Sequence, residues 1–413
     1  MDRKVSTANL KPGMYVSRLD RPWVTTPFMI QGFFIEDQSD IAKLASYCDF
    51  VYIDTDMGET AEMYLDQAPS GSRTQVRQRL ASNRQVESIL STGRKQVFYT
   101  NQNTADQEIP AARAALSRAA ICVAEVLENS IRKKEINVEQ VREAVNPIIE
   151  SVIRNSDAYL WLSKMQVHDH YSYEHSVQNC GLGIVFGRHI GLGKRDLSTL
   201  ATGLLLMDIG KIRIPKAILT KQTPLSKEET YVMQKHVAYG VDILRKAKGI
   251  NEHIINITLT HHERYDGSGY PNGLVGVQTP AFGRMAAIID CYDSMITSTP
   301  YRKAIPEHKA LQNIYNLRDK LFQAELVEQF IQCMGVYPTG SLVELSSGAV
   351  AAVLAQNEKQ KMRPRVVMML DADKRPVKKR EVVDLAKLGG KALHIASSLE
   401  KSAYGLDISA VKF

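Results

Sequence analysis

The hydrophobic positions change their period twice along the chain. Over residues 1–65 they come as short runs, Met14-Tyr15-Val16, Phe33-Phe34-Ile35 and Phe50-Val51-Tyr52-Ile53, separated by turn residues such as Lys11-Pro12-Gly13 and Gly58. Short apolar runs between turn signals predict strands. One short helix is expected over Asp40–Tyr47, with Ser39 as its N-cap. Residues 66–109 carry Gln, Ser, Asn, Thr and Arg with few large apolar groups, and read as a polar linker. From residue 110 the period becomes helical. Val138, Val141, Val145, Ile148 and Val152 fall on one helix face, and Asn137 is placed to cap it. Pro147 lies inside that pattern and predicts a kink or a break. Helical segments punctuated by Gly191-Leu192-Gly193, Gly210, Pro215 and Gly267–Pro271 continue to residue 337. Over 338–413 the runs are strand-like again, at Leu342–Leu345, Ala349–Leu354 and Val366–Leu370. The expected fold is mainly α: a helical domain over 110–337, a small β-rich (α+β) module before it and a short β-like extension after it.

Composition narrows the class. The 413 residues are 44% hydrophobic and 23% charged, which excludes a disordered or collagen-like chain and allows a large core. Lys+Arg exceed Asp+Glu by 52 to 45, an excess that suits an anionic ligand without pointing to nucleic acid. The basic run Lys374–Arg380 has no aromatic residues among its charges and reads as a solvated turn, not a DNA-binding element. Five cysteines, odd in number and without a C-x-x-C pair, argue against a disulfide framework or a cysteine zinc site. With no signal-like N-terminus and no apolar run of about 18 residues, a cytoplasmic protein without a membrane span is expected.

The chemistry concentrates at His261-His262-Glu263-Arg264-Tyr265-Asp266-Gly267-Ser268-Gly269-Tyr270-Pro271. Neutral imidazoles bind divalent transition metals, and adjacent helical residues point about 100° apart, so two neighbouring histidines can reach one ion from two directions. The glycines that follow force a turn and can bring backbone N–H groups close to an anion. His175 and His236 lie upstream. Asp208 and Asp290 each end an apolar run, where a carboxylate must be paired or metal-bound. Taken singly, His175 or His236 reads as readily as a packed histidine, and Asp208 as a helix cap. Taken together, four histidines and two aspartates suit two metals about 3.5–4 Å apart, with a carboxylate between them. Lys211, three residues after Asp208, can meet a phosphate oxygen.

The segment from about 165 to 335 resembles the HD-GYP domain, a bacterial branch of the HD metal-dependent phosphohydrolases. His261–Pro271 matches its H-H-E-x-x-D-G-x-G-Y-P signature in full. Asp-Ile-Gly-Lys at 208–211, Ile214-Pro215, Ile218-Leu219, Glu228-Glu229, His236 with Gly240, Asp290-x-x-Asp293 and Pro300-Tyr301-Arg302-Lys303 match in order. The first 65 residues are similar to a small β module often found ahead of such domains.

The resemblance implies an HD-type helical bundle that hydrolyses cyclic di-GMP to the linear dinucleotide or GMP, with iron or manganese as cofactor. It implies one metal on His175, position 207, Asp208 and Asp290, and another on Asp208, His236, His261 and His262. Asp208 and Lys211 would act in catalysis, and Lys211, Gly269, Tyr270, Pro271 and Arg302 would line the substrate. The Gly-Tyr-Pro surface would also dock signalling proteins such as diguanylate cyclases, and a homodimer is in keeping with such domains. Members that bind a third metal have a Glu four residues before the first histidine; here that position is Tyr171, so one or two metals are expected. Two departures matter. The His-Asp pair is Met207-Asp208, and a thioether is a poor ligand for Mn²⁺ or Fe²⁺. The Arg expected before Pro-Tyr-Arg is Thr299. The expectation is therefore a cyclic di-GMP phosphodiesterase, with a degenerate nucleotide- or partner-binding module as the alternative.

Overall fold

The computed structural model describes residues 2–20, 33–35, 37–54, 96–132, 136–165, 171–298, 304–357, 360, 362–377, 381–388, 393–400 and 403–406. Thr299, Arg302, His168, His170 and most of the segment expected as a linker lie outside the described residues.

The N-terminal strands are β1 (Asp2–Ser6), β2 (Tyr15–Leu19), β3 (Phe33–Phe34) and β4 (Phe50–Asp54). They form one antiparallel sheet in the order β1-β4-β2-β3, with Val5 opposite Val51 and Val16 opposite Ile53. β1 has no counterpart in the pattern of runs because Val5 is its one apolar residue. Val16, Leu19, Val51 and Ile53 bury one face of this sheet together with Ile41 and Leu44 of α1 (Gln38–Ala45). That helix starts earlier than expected, and its N-cap is Asp37, not Ser39: the Asp37 carboxylate accepts from the N–H groups of Ser39 and Asp40. The Ser39 hydroxyl instead donates to Asp37, at 2.6 Å. A carboxylate at this position also suits the positive end of the helix dipole.

The C-terminal strands are β5 (Leu342–Leu345), β6 (Val350–Ala355), β7 (Arg365–Leu370), β8 (Val382–Asp384) and β9 (Ile395–Ser398). Their antiparallel order is β8-β7-β6-β5-β9, and central β6 is buried along its whole length. The described residues before 55 and those over 335–406 belong to one compact unit. Within it the Arg363 guanidinium pairs with the same Asp37 carboxylate that caps α1, and Lys43 donates to the Tyr337 hydroxyl at 2.9 Å. In the basic run, Lys374 pairs with Glu344.

The second unit is helical. It comprises α2 (Ala105–Ile131), α3 (Val138–Arg154), α4 (Ser156–Met165), α5 (Tyr171–His189), α6 (Lys194–Leu206), α7 (Lys216–Leu219), α8 (Lys227–Gln234), α9 (His236–Arg245), α10 (Glu252–Thr260), α11 (Ala281–Ile296), α12 (Glu307–Asn316) and α13 (Ala324–Met334). In α3 the expected face is buried and the Asn137 side chain accepts from Glu139 N–H. The helix runs on through Pro147 without a break. Glu143, whose carbonyl Pro147 leaves without an intrahelical donor, is an exposed residue, so water can satisfy it. Helix α6 is buried from Leu197 onward apart from Ser198, with Leu200, Ala201, Leu204 and Leu205 all inside. A helix apolar on nearly all sides belongs at the centre of its domain. Its C-terminal end therefore delivers Met207 and Asp208 to the interior.

Candidate metal centre

Five segments converge. Helix α5 supplies His175, the end of α6 supplies Asp208, α9 begins with His236, α10 ends at His261-His262, and α11 carries Asp290. Close backbone contact makes the first of these meetings feasible: a Cβ on Gly210 would lie 1.9 Å from the His236 carbonyl oxygen and 2.4 Å from Gly240 N. Only glycine allows the turn after Asp208 to press against the start of α9.

Two donor groups result, each with ligand atoms within 4.8 Å of one another: Asp208, His236, His261 and His262, and then His175, Asp208 and Asp290. They share Asp208. His236 Nδ1–H donates to the Met233 carbonyl at 2.7 Å, and His261 Nδ1–H to the Thr258 carbonyl at 2.8 Å. A carbonyl only accepts, so each neutral ring has its lone pair on Nε2. Those two Nε2 atoms face each other at 3.4 Å. They lie 3.4 and 3.8 Å from Asp208 Oδ1, a buried oxygen with no hydrogen-bond partner. Two donors about 2.1 Å from one ion are about 3.0–3.4 Å apart, so this converging set of lone pairs fits a divalent cation.

The second group is more acidic. His175 Nε2 lies 3.0 Å from Asp290 Oδ1 and 3.6 Å from Asp208 Oδ2. Its Nδ1 meets Asp293 Oδ2 at 2.6 Å. Asp293 is fully buried and one helical turn from Asp290. It orients the imidazole as carboxylates behind metal-bound histidines do. Its signal in the sequence is the Asp290-x-x-Asp293 spacing, which by itself gives Asp293 no role. Met207 is fully buried and adds no hard donor, so this group consists of three candidate donors.

The electrostatics follow from the packing. Burial lowers His236 to about 4, helped by His261 and Lys211 against the pull of Asp208. Burial and His261 hold His262 well below the usual range. Burial also works against a charged His175, but the Asp290 and Asp293 carboxylates outweigh it and raise that group to about 10. For Asp208, burial is overcome by Lys211, His261, His236 and His175, which hold it well below the ordinary carboxylate range. Lys211 Nζ sits 2.7 Å from Asp208 Oδ2 and is part-exposed.

The Gly-rich segment folds back over the histidines. Tyr270 N–H donates to the His262 carbonyl at 3.2 Å, and its ring stacks on His262 with centroids 4.7 Å apart. Pro271 follows on the exposed side, and Gly269 lies against the backbone of Glu263 and Arg264. Glu263, in sequence the acid beside the two histidines, belongs to neither donor group.

Comparison with known proteins places these residues in context. Residues 165–326 match the HD domain, residues 2–141 a domain of unknown function (DUF3391), and residues 342–405 a KOW domain associated with the HD domain. The chain is 28% identical over 391 residues to cyclic di-GMP phosphodiesterase PA4108 of Pseudomonas aeruginosa, covering 94% of this chain and 90% of that protein. It is 34% identical over 168 residues to a cyclic di-GMP phosphodiesterase of Thermotoga maritima, covering 40% of this chain and 46% of the relative. Among solved structures, Bd1817, an HDG"Y"P protein from Bdellovibrio bacteriovorus, aligns with a TM-score of 0.45 at 17% identity, covering 80% of this chain and 98% of that one.

Proposed function

We propose that this chain, whose residues 165–326 form an HD domain, is a metal-dependent phosphodiesterase that hydrolyses cyclic di-GMP to the linear dinucleotide or GMP. The observation that carries the reading is the sharing of Asp208 by two donor groups, with its Oδ1 buried, unpartnered and facing two imidazole nitrogens. His236, His261, His262 and Asp208 would hold one ion; His175, Asp208 and Asp290 would hold a second. Imidazole nitrogen and carboxylate oxygen without thiolate suit iron or manganese. Such ions polarise a phosphodiester and make water a better nucleophile.

The protein's own residues do the rest. Lys211, anchored on Asp208 and part-exposed, presents its ammonium to a non-bridging phosphate oxygen. Tyr270, fixed flat on His262, offers a ring face to a nucleobase, with Gly269 and Pro271 shaping the wall beside it. Arg302 is proposed as a further phosphate contact. The Gly269-Tyr270-Pro271 surface is proposed as a contact for signalling proteins such as diguanylate cyclases.

The test is anaerobic loading of purified protein with Mn²⁺ or Fe²⁺, followed by metal analysis and turnover of cyclic di-GMP. Linear product is expected, and His261→Ala should abolish it together with the first metal. Met207→His should raise the metal content, because it adds a fourth ligand to the poorer group. Nucleotide binding in calorimetry without any product would overturn the enzyme reading in favour of a binding module.

A further inference from the structure

Glu263 sits between two ligand histidines and the substrate loop, yet it faces away from the donor groups. It is 2% exposed. Both of its carboxylate oxygens are used: Oε1 accepts from Asn272 N–H at 2.8 Å and Oε2 from Leu274 N–H at 3.0 Å. The loop between is drawn in tightly. A Cβ on Gly269 would fall 2.5 Å from Glu263 Cα and 2.3 Å from Arg264 N, so the loop backbone lies directly on the backbone of the acid that clamps it. The next residue, Tyr270, donates its N–H to His262 and stacks on that imidazole.

We infer that Glu263 is a positioning residue, a double acceptor that clamps the 264–274 loop so that Tyr270 stays stacked on His262. It couples the substrate wall to the metal centre without touching metal or substrate. The inference rests on the functional reading above for its kinetic consequence, but not for its structural one. The chemistry requires two acceptors side by side. Glutamine has the same shape, but its amide NH₂ would meet one of the two backbone donors and leave that N–H without a partner.

Glu263→Gln separates this from a metal-ligand role and from a packing role. Deuterium exchange of the 272–274 peptide in metal-loaded protein should speed up at least tenfold, with exchange in α9 and α10 unchanged. Metal content per chain should equal that of the wild type. The KM for cyclic di-GMP should rise about tenfold, with kcat within about threefold, since the wall loosens while the centre stays intact. Glu263→Asp, which keeps two acceptor oxygens but draws them back by one methylene from Asn272 N–H and Leu274 N–H, should shift exchange and KM in the same direction, and it decides the matter if Glu263→Gln does not fold. Unchanged exchange at 272–274, or a loss of metal comparable to that in His261→Ala, would overturn the assignment. If the wild type neither binds nor turns over cyclic di-GMP, the functional reading fails while exchange and metal content still decide the role of Glu263.

Discussion

Asp208 stands at the C-terminal end of a buried helix, where the helix dipole disfavours an anion. It is tolerated because Lys211 and three histidines surround it. The residues of this centre also differ in the protons they carry. His236, lowered to about 4, is neutral near pH 7 and needs to lose nothing to bind a metal. His175, raised to about 10, carries a proton in the metal-free protein at that pH. Filling the His175 group should therefore release about one proton per chain near pH 7.5, read as a buffer-dependent heat in calorimetry. A metal enthalpy independent of buffer ionisation would contradict this. Proton competition at His236 should weaken the other group only as the pH falls through about 4 and below. The candidate donor residues were legible in the sequence because residue type and order carry them. The supporting groups were not: Met233 and Thr258 act through backbone carbonyls, which no side chain announces.

Among the elements, the contact between the turn at Gly210 and helix α9 sets how closely Asp208 approaches His236. Gly210→Ala must push the two apart, since the added carbon would overlap the His236 carbonyl. We expect loss of at least one metal per chain and a drop in activity of about a hundredfold or more, measured by metal analysis and turnover. Helices α2 and α3 are joined by Glu108, which accepts from Ser151, Arg154 and Asn103. Burial would raise its pKa, but Arg154, Ser151 and Asn103 bring it below its usual value of 4.5. The folded pKa is depressed, so this contribution is present above about pH 4.5 and is lost as pH falls through the folded value. Glu108→Gln should flatten the acid limb of a stability–pH profile; an unchanged limb would count against the triad. The face of α3 was readable from its valine spacing, and the passage through Pro147 was not. Whether a proline breaks a helix depends on what satisfies the carbonyl it strands, and that is settled by tertiary position.

At the scale of the whole chain, the helical middle announced itself through its period and its motif. The joining of the two β-rich ends into one unit did not, because it rests on pairs 294 and 326 residues apart. Asp37 caps α1 and holds Arg363, itself 7% exposed. Arg363→Ala leaves a partly buried carboxylate without its cation and should cost the N-terminal sheet about 2–3 kcal/mol, seen as earlier unfolding of that unit while metal content of the helical unit is unchanged. Removal of residues 338–413 should leave the N-terminal sheet unable to hold its structure, as judged by limited proteolysis. The same clasp sets a timetable for the cell. Asp37 and Arg363 are 326 residues apart, so at about 5–20 residues per second the Asp37 carboxylate waits roughly 16–65 s for its cation to be synthesised. During that interval the nascent chain carries its N-terminal sheet with the Asp37 carboxylate still without its cation, while the helices that supply the donor groups are already available to assemble. Holdase binding to ribosome-bound chains should accordingly concentrate on the first 54 residues and end only when the final strands emerge.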